Sequence, residues 1–156
     1  MRIAICDDEL FYVQNIMERI KSYEFHDTKP TIIDGYTNGN ELIDAFRIEP
    51  YDLVFLDIEL DDCQNGIELA KTIKNIKANC IFIFITAYHY YLPESMWIGA
   101  DLFIDKPIDQ KLFQRELHHA FQVYKHIAGR YFIIRYQPDF FLCKFFSITR
   151  QVLYFS

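Results

Sequence analysis

The sequence predicts an α/β fold: a flavodoxin-like, doubly wound sheet of five parallel strands. Three observations lead to this class. Apolar runs alternate five times with segments of helical periodicity over residues 1–128, which is typical of successive strand–helix units. The strongest runs are continuously apolar, as strands buried on both faces are. Polar residues follow the runs, at the edge where such sheets bind ligands. Right-handed crossovers then favour the strand order 2-1-3-4-5.

The strands are predicted from the apolar runs. The two clearest are Leu-Val-Phe-Leu-Asp-Ile at residues 53–58 and Cys-Ile-Phe-Ile-Phe-Ile at residues 80–85. Their unbroken apolar character indicates strands that lie inside the sheet. Shorter runs predict further strands at residues 2–6, 31–36 and 101–104, of which the run 31–36 resembles an edge strand.

The helices are predicted from apolar residues spaced three and four positions apart. The first helix is expected from residue 10 to about Tyr23. The aromatic segment from Tyr88 to Ile98 is predicted as the fourth helix, with an irregular start because Pro93 interrupts it. The remaining helices are predicted around residues 42–46, 67–73 and 112–128.

Charge divides the chain into two parts. The net charge is −6, but residues 129–156 carry four basic residues and one acid, whereas residues 1–128 are strongly acidic. We therefore predict one domain over 1–128 and a β-rich tail over 129–156. Because about three short strands bury little surface alone, the tail is expected to pack on the body, pair with another chain or begin a larger β-rich domain. The strand-like runs of the tail are residues 131–136, 140–146 and 152–155.

Composition argues against several other classes. No apolar run approaches the ~20 residues that span a bilayer, and no secretion leader is visible. A cytoplasmic protein without a membrane partner is therefore expected. The cysteines form no C-x-x-C pair and match no common zinc spacing, so neither a zinc site nor a disulfide is expected. The cysteines are Cys6, Cys63, Cys80 and Cys143.

Several polar residues are expected to converge at the carboxyl edge of the sheet. A cluster of carboxylates suits a hard divalent cation, Mg²⁺ or Mn²⁺ rather than zinc. A lysine adds a point charge for phosphate, and a threonine adds a hydroxyl donor. The set indicates phosphoryl transfer to Asp57, forming an acyl phosphate. The converging residues are Asp7, Asp8 and Glu9 after the first strand, Asp57 after the third, Thr86 after the fourth and Lys106 after the fifth.

Each of these residues also has a structural explanation. An Asp-Asp pair often caps a helix, a Lys-Pro pair often forms a turn, and Thr86 suits a strand because it is β-branched. The agreement of four strand ends favours a site over these separate explanations.

The same residues resemble the receiver domain of two-component response regulators, over about residues 1–125. The motifs that carry the resemblance are Asp7-Asp8-Glu9, Leu56-Asp57, Asn65-Gly66-Ile67-Glu68-Leu69, Thr86-Ala87 and Lys106-Pro107. The resemblance implies that Asp57 accepts a phosphoryl group from a sensor histidine kinase. It implies a signalling protein rather than an enzyme, a homodimer, and a switch in which phosphorylation changes dimerisation or transcriptional output.

The resemblance also assigns roles to the other residues. Mg²⁺ would be held by Asp8, Asp57 and the Glu59 backbone carbonyl, with help from Asp7. Thr86 and Lys106 would contact the phosphoryl oxygens. Phe103 would be the aromatic residue that turns inward on activation; the alternative is a core phenylalanine of the fifth strand. The Lys106–Pro107 peptide bond is expected to be cis.

Within this family, the sequence resembles regulators that carry a LytTR DNA-binding domain. The residues concerned are 6–9, 65–70 and the final segment 147–156, which is similar to the first strands of that domain. The tail is much too short for a complete LytTR domain. Either the sequence stops before this output domain or the protein has lost it. DNA binding is therefore expected only through a complete output domain that this chain lacks.

Two other functions stay open on the sequence. One is a Mg²⁺-dependent phosphatase with Asp57 as nucleophile, since Glu59 stands two residues later, where such enzymes place a general acid or base. The other is an adaptor that binds partners independently of phosphorylation.

Overall fold

A parallel sheet of five strands forms the centre of the protein, in the order β2-β1-β3-β6-β7. Counted along the chain among the sheet strands, this is the predicted order 2-1-3-4-5. The computed structural model describes residues 1–25, 30, 32–60, 64–87, 102–129, 131–135 and 140–144. The strands are β1 Arg2–Cys6, β2 Ile32–Tyr36, β3 Leu53–Leu56, β4 Glu59–Leu60, β5 Gln64–Asn65, β6 Ile81–Thr86, β7 Leu102–Asp105, β8 Tyr131–Arg135 and β9 Phe140–Lys144. The described helices are α1 Leu10–Ser22, α2 Gly39–Ile48, α3 Gly66–Ile76 and α4 Gln110–Ala128.

The sheet separates two hydrophobic cores. Phe55 of β3 packs among residues of α1 and α4, whereas its neighbours Val54 and Leu56 pack among residues of α2 and α3. Successive side chains of a strand point to opposite faces, so a strand that is apolar at every position serves both cores. This explains why the central strands are continuously apolar, and it confirms the doubly wound architecture.

Strand β2 is the exception, because it lies at the edge of the sheet and is partly exposed. Its Gly35 lets α1 approach closely: a Cβ atom there would lie 2.4 Å from Cγ1 of Val13. The weaker apolar character of the run 31–36 therefore reflects an edge position.

Capping side chains set where three of the helices begin. Asn38 accepts hydrogen bonds from the backbone N–H groups of α2, Asn65 does so at the start of α3, and Asp109 does so at the start of α4. Each cap satisfies N–H groups that have no partner inside the helix. The helices consequently start one to three residues before the first apolar residue of each periodic pattern. The sequence analysis had placed the starts at those apolar residues.

Strand β3 ends at Leu56, directly before Asp57, which the sequence analysis placed at the end of the strand. The N–H of Asp57 still donates to the Cys6 carbonyl at 2.9 Å, but Oδ1 of Asp57 accepts from the N–H of Glu59 at 3.3 Å. This local hydrogen bond turns the chain away from the sheet. The following segment, expected as an acidic loop, contains the short antiparallel pair β4 and β5. Two-residue strands are too short to leave an alternating pattern.

Strands β8 and β9 pair antiparallel, with Tyr131 opposite Lys144. The tail therefore contains strands, as expected, although β9 ends at Lys144 among the described residues. The predicted helix 88–98 and the predicted strand 152–155 lie outside the described residues. Among the helices that the structure describes, none has the length and apolar composition needed to cross a bilayer.

Candidate phosphoryl and metal site

Backbone hydrogen bonds beyond the strand ends position the candidate site. The N–H of Asp7 donates to the Tyr36 carbonyl at 3.2 Å, and the N–H of Asp57 donates to the Cys6 carbonyl at 2.9 Å. On the far side, the N–H of Lys106 donates to the Thr86 carbonyl at 3.0 Å. The chain segments that carry these side chains are therefore fixed to the sheet itself.

Three carboxylates meet at this edge, as the sequence predicted. Oxygen atoms of Asp7, Asp8 and Asp57 all lie within 4.8 Å of one another. Asp7 is 1% exposed and Asp57 is 6% exposed. Burial disfavours a charged carboxylate, so it raises the pKa of Asp7 to about 6 and also raises the pKa of Asp57. Without a metal ion, the ionised carboxylates therefore need nearby positive charge to stabilise them.

Lys106 provides part of that charge. Its Nζ atom lies 2.6 Å from Oδ2 of Asp57 and 2.8 Å from Oδ2 of Asp7. Burial alone lowers the pKa of this ammonium, but the hydrogen bonds and attraction from Asp57 and Asp7 outweigh it, and the pKa is raised overall. Lys106 therefore stays protonated at neutral pH and bridges the two buried carboxylates.

The other predicted residues lie at the border of the cavity or in the neighbouring strands β6 and β7. Glu59, in β4, borders the same cavity of about 420 Å³. Thr86 is buried at the end of β6, and the next residue, Ala87, lines the cavity. Phe103 lies in β7, half-buried, with its ring stacked on Phe84 at 5.7 Å between centroids. The Lys106–Pro107 bond is cis, as expected.

Two residues gain a place in the site that the sequence analysis did not give them. The ring of Tyr12, in the first turns of α1, has its centroid 4.0 Å from Nζ of Lys106. Gly66 touches the backbone of Asp57, because a Cβ atom at this position would lie 2.0 Å from the Asp57 carbonyl oxygen. The only sequence signal for Tyr12 is its position one turn after Asp8, which places it at the same edge.

The residues present fit a hard divalent cation. All the converging donors are oxygens, which suits Mg²⁺. Oδ2 of Asp7 is buried, and among the described residues its close partner is the Lys106 ammonium at 2.8 Å. A buried acceptor of this kind has capacity for a cation ligand.

Fold and site together define a flavodoxin-like domain with an acidic cavity and a buried lysine at the carboxyl edge of its sheet. The sequence profile of the response regulator receiver domain matches residues 3–118. Since the match covers most of the chain, this chain belongs to the receiver-domain family of two-component response regulators.

Similar proteins place it near the LytTR-family regulators. The Transcriptional regulatory protein LytR of Staphylococcus aureus is 36% identical over 86 residues, covering 55% of this chain and 35% of that protein. The Sensory transduction protein LytR of Staphylococcus saprophyticus is 31% identical over 122 residues, covering 78% of this chain and 46% of that protein. The chain therefore spans between a third and a half of the length of these curated relatives.

A solved structure supports the fold. A two component transcriptional regulator AraC from Clostridium phytofermentans is 25% identical and superposes with a TM-score of 0.72, covering 83% of this chain and 98% of the other.

Proposed function

We propose that this chain is the phosphoacceptor switch of a two-component system. Asp57 accepts a phosphoryl group from a sensor histidine kinase, and the phosphorylated domain changes its dimerisation or its transcriptional output. The observation that carries the proposal is the Lys106 ammonium, which bridges the buried carboxylates of Asp57 and Asp7 beside an open cavity. A positive charge held next to a carboxylate nucleophile suits phosphoryl transfer.

Asp57 is the nucleophile in this reaction. One of its carboxylate oxygens forms a bond to phosphorus while the P–N bond to the kinase histidine breaks, and the electron pair leaves with the imidazole. Lys106 stabilises the negative charge on the phosphoryl oxygens, and the Thr86 hydroxyl contacts one of them. Self-hydrolysis later breaks the acyl phosphate, so the chain acts on its own phosphoryl group and is not an enzyme for other substrates.

Asp7, Asp8, Asp57 and the Glu59 backbone carbonyl would hold Mg²⁺. When bound, this ion supplies positive charge that shields the carboxylates from each other and from the phosphoryl oxygens. The cluster of three carboxylates and the buried Oδ2 of Asp7 support this assignment.

Phe103 is proposed as the residue that transmits the change. Its half-buried ring stacks on Phe84 and packs against the core on the α2 and α3 face. A side chain that is neither fully buried nor exposed can exchange between two packed positions. Thr86 is close enough to influence this exchange, because it pairs with Asp105, two residues after Phe103 in β7.

The domain proposal assigns residues 1–128 to the receiver and residues 129–156 to a β-rich tail that begins a LytTR-type output domain. DNA contact would then need a complete output domain. The relatives named LytR support this proposal, and the antiparallel pair β8 and β9 agrees with a β-rich tail.

The test is intact mass after incubation with acetyl phosphate and Mg²⁺. Wild type should gain one phosphoryl group and Asp57→Asn none. Asp44→Asn is the matched control, because Asp44 is an exposed aspartate of α2 whose ion pair is with Arg47, and it should label like wild type. An unlabelled wild type that binds Mg²⁺ would contradict the proposal and favour a phosphorylation-independent adaptor.

A Mg²⁺-dependent phosphatase is the second candidate, because Glu59 borders the cavity two residues after Asp57. Repeated turnover of an added phosphoester, lost in Glu59→Gln, would favour it over a self-labelling switch.

A further inference from the structure

The ring of Tyr12 lies against the Lys106 ammonium. Nζ is 4.0 Å from the ring centroid, a distance at which a cation is attracted by the π face. Tyr12 is half-buried and lines the same cavity as Lys106 and Asp57. The ring is held in place by the first turn of α1, where the N–H of Tyr12 donates to the Glu9 carbonyl at 2.9 Å. Phe11 packs on it edge-on, with 5.3 Å between ring centroids.

Protein groups surround the Lys106 ammonium on several sides, at the wall of the cavity. The carboxylates of Asp57 and Asp7 lie 2.6 and 2.8 Å from its Nζ atom. The ring of Tyr12 adds an aromatic wall, and the Lys106 side chain is only 7% exposed. A cation–π contact is stronger when the cation is desolvated, and a charge acts more strongly on its neighbours when water is excluded.

We propose that Tyr12 is a positioning residue for phosphoryl transfer, whose ring holds the Lys106 ammonium in the cavity where Asp57 receives its phosphoryl group. This proposal rests on the proposed function of Asp57. During transfer, an Asp57 oxygen gains the bond to phosphorus and the donor's leaving group departs with the electron pair. The ammonium must then stabilise the phosphoryl oxygens, and a lysine that is already oriented and desolvated does so without reorganisation.

Substitutions of Tyr12 by phenylalanine and by leucine should have different effects. The π face, and not the phenol hydroxyl, contacts Lys106, so phenylalanine should preserve the function of Tyr12. Leucine keeps much of the apolar volume but has no π face. Tyr12 also packs at the border of the core on the α1 and α4 face. A residue that only fills space there would affect stability regardless of what stands at position 106.

The experiment is a double-mutant cycle on the initial rate of labelling by acetyl phosphate at saturating Mg²⁺. Tyr12→Leu should slow labelling by up to about thirtyfold, the size expected when a desolvated cation–π contact is lost, and Tyr12→Phe should stay close to wild type. In a Lys106→Met background, Tyr12→Leu should cause no further loss. The half-saturating Mg²⁺ concentration should not change, because Tyr12 offers no carboxylate. Tyr23→Leu, at the other end of α1, is the matched control and should label like wild type.

An equal fractional loss from Tyr12→Leu with Lys106 and with Met at position 106 would overturn the proposal, because Tyr12 would then act independently of the lysine. An unlabelled wild type would overturn the proposed function of Asp57 and this role with it. The contact itself has a separate readout in urea unfolding. Tyr12→Leu should lower the urea midpoint more when Lys106 is present than in the Lys106→Met background, and equal shifts would overturn the contact.

Discussion

At the scale of single residues, burial determines how the site behaves. Asp7 and Asp57 are buried at the carboxyl edge of the sheet, and Lys106 is the cation that contacts both. Sequence reasoning found these three because each directly follows or ends a strand pattern. It could not find the contact between Tyr12 and Lys106, because helical periodicity places a side chain on a face but does not give the residue it touches on another element.

Asp7 should make the stability of the metal-free protein depend on pH. Burial raises its pKa from 3.8 to about 6 in the folded state. Because the folded pKa is above the unfolded one, the folded state holds the proton more tightly, and stability falls as pH rises from about 4 to 6. At pH 7.5 in EDTA, Asp7→Asn should raise the free energy of unfolding by about 1–3 kcal/mol.

Urea unfolding at pH 4 and pH 7.5 measures this effect. The difference between Asp7→Asn and wild type should disappear at pH 4 and shrink when Mg²⁺ is added, since the cation also favours the ionised carboxylate. If the free energy of unfolding of Asp7→Asn differed from that of wild type by the same amount at both pH values, the raised pKa of Asp7 would not be the cause of the pH dependence.

At the scale of elements, the sequence predicts the interior of a strand or helix better than its ends. The ends depend on single hydrogen bonds, such as those from the side chains of Asn65 and Asp109 to the first turns of α3 and α4. The pair β4 and β5 escaped prediction because it has only two residues in each strand. Its position matters, since it leads the chain from Asp57 to the start of α3.

Gly66 should be essential for the site, because it begins α3 against the backbone of Asp57. A Cβ atom would lie 2.0 Å from the Asp57 carbonyl oxygen and 3.0 Å from Cα of Ile58. Backbone atoms cannot rotate away, so in Gly66→Ala either α3 or Asp57 must shift. We expect weaker Mg²⁺ binding and a labelling rate reduced by tenfold or more. A tenfold loss corresponds to an increase of about 1.4 kcal/mol in the activation free energy. Mg²⁺ titration and intact mass measure both.

Gly35→Ala is the control for an overpacked glycine away from the site. Its Cβ would meet the Val13 side chain at 2.4 Å, so it should lower stability by about 1–3 kcal/mol. The folded fraction should still bind Mg²⁺ normally. Normal labelling by Gly66→Ala would show that the close approach to Asp57 is not needed.

At the scale of the whole molecule, the topology follows from simple rules. Five strand–helix alternations and right-handed crossovers left few topologies, and the flavodoxin-like order chosen among them is the order that is observed. The close packing of α1 on Gly35 was not predictable, because it depends on the side chains that meet across two elements. The two cores share one sheet, so their stabilities are expected to be linked.

Cys6 and Cys80 provide probes of this cooperativity. Both thiols are 1% exposed, and burial raises the pKa of each to about 12. A variant with Cys63→Ser and Cys143→Ser leaves only these two. In native protein at pH 8, neither should react appreciably with a disulfide reagent, because the thiolate is scarce and inaccessible.

Both thiols should become reactive together in urea, at the midpoint found by circular dichroism. Reaction of Cys80 at a lower urea concentration than Cys6 would reveal partial opening at the edge of the sheet opposite the site.

The hydrogen bonds that extend past the strand ends have an evolutionary consequence. Asp7, Asp57 and Lys106 are each attached by their own backbone N–H to the neighbouring strand, so their separations are measured out by the spacing of strands, about 4.8 Å. Apart from positions such as Gly66 that pack on the site, the connecting segments that follow them can gain, lose or exchange residues without altering this spacing. A lineage can therefore remodel the rim that selects a signalling partner while it inherits the reactive centre unchanged.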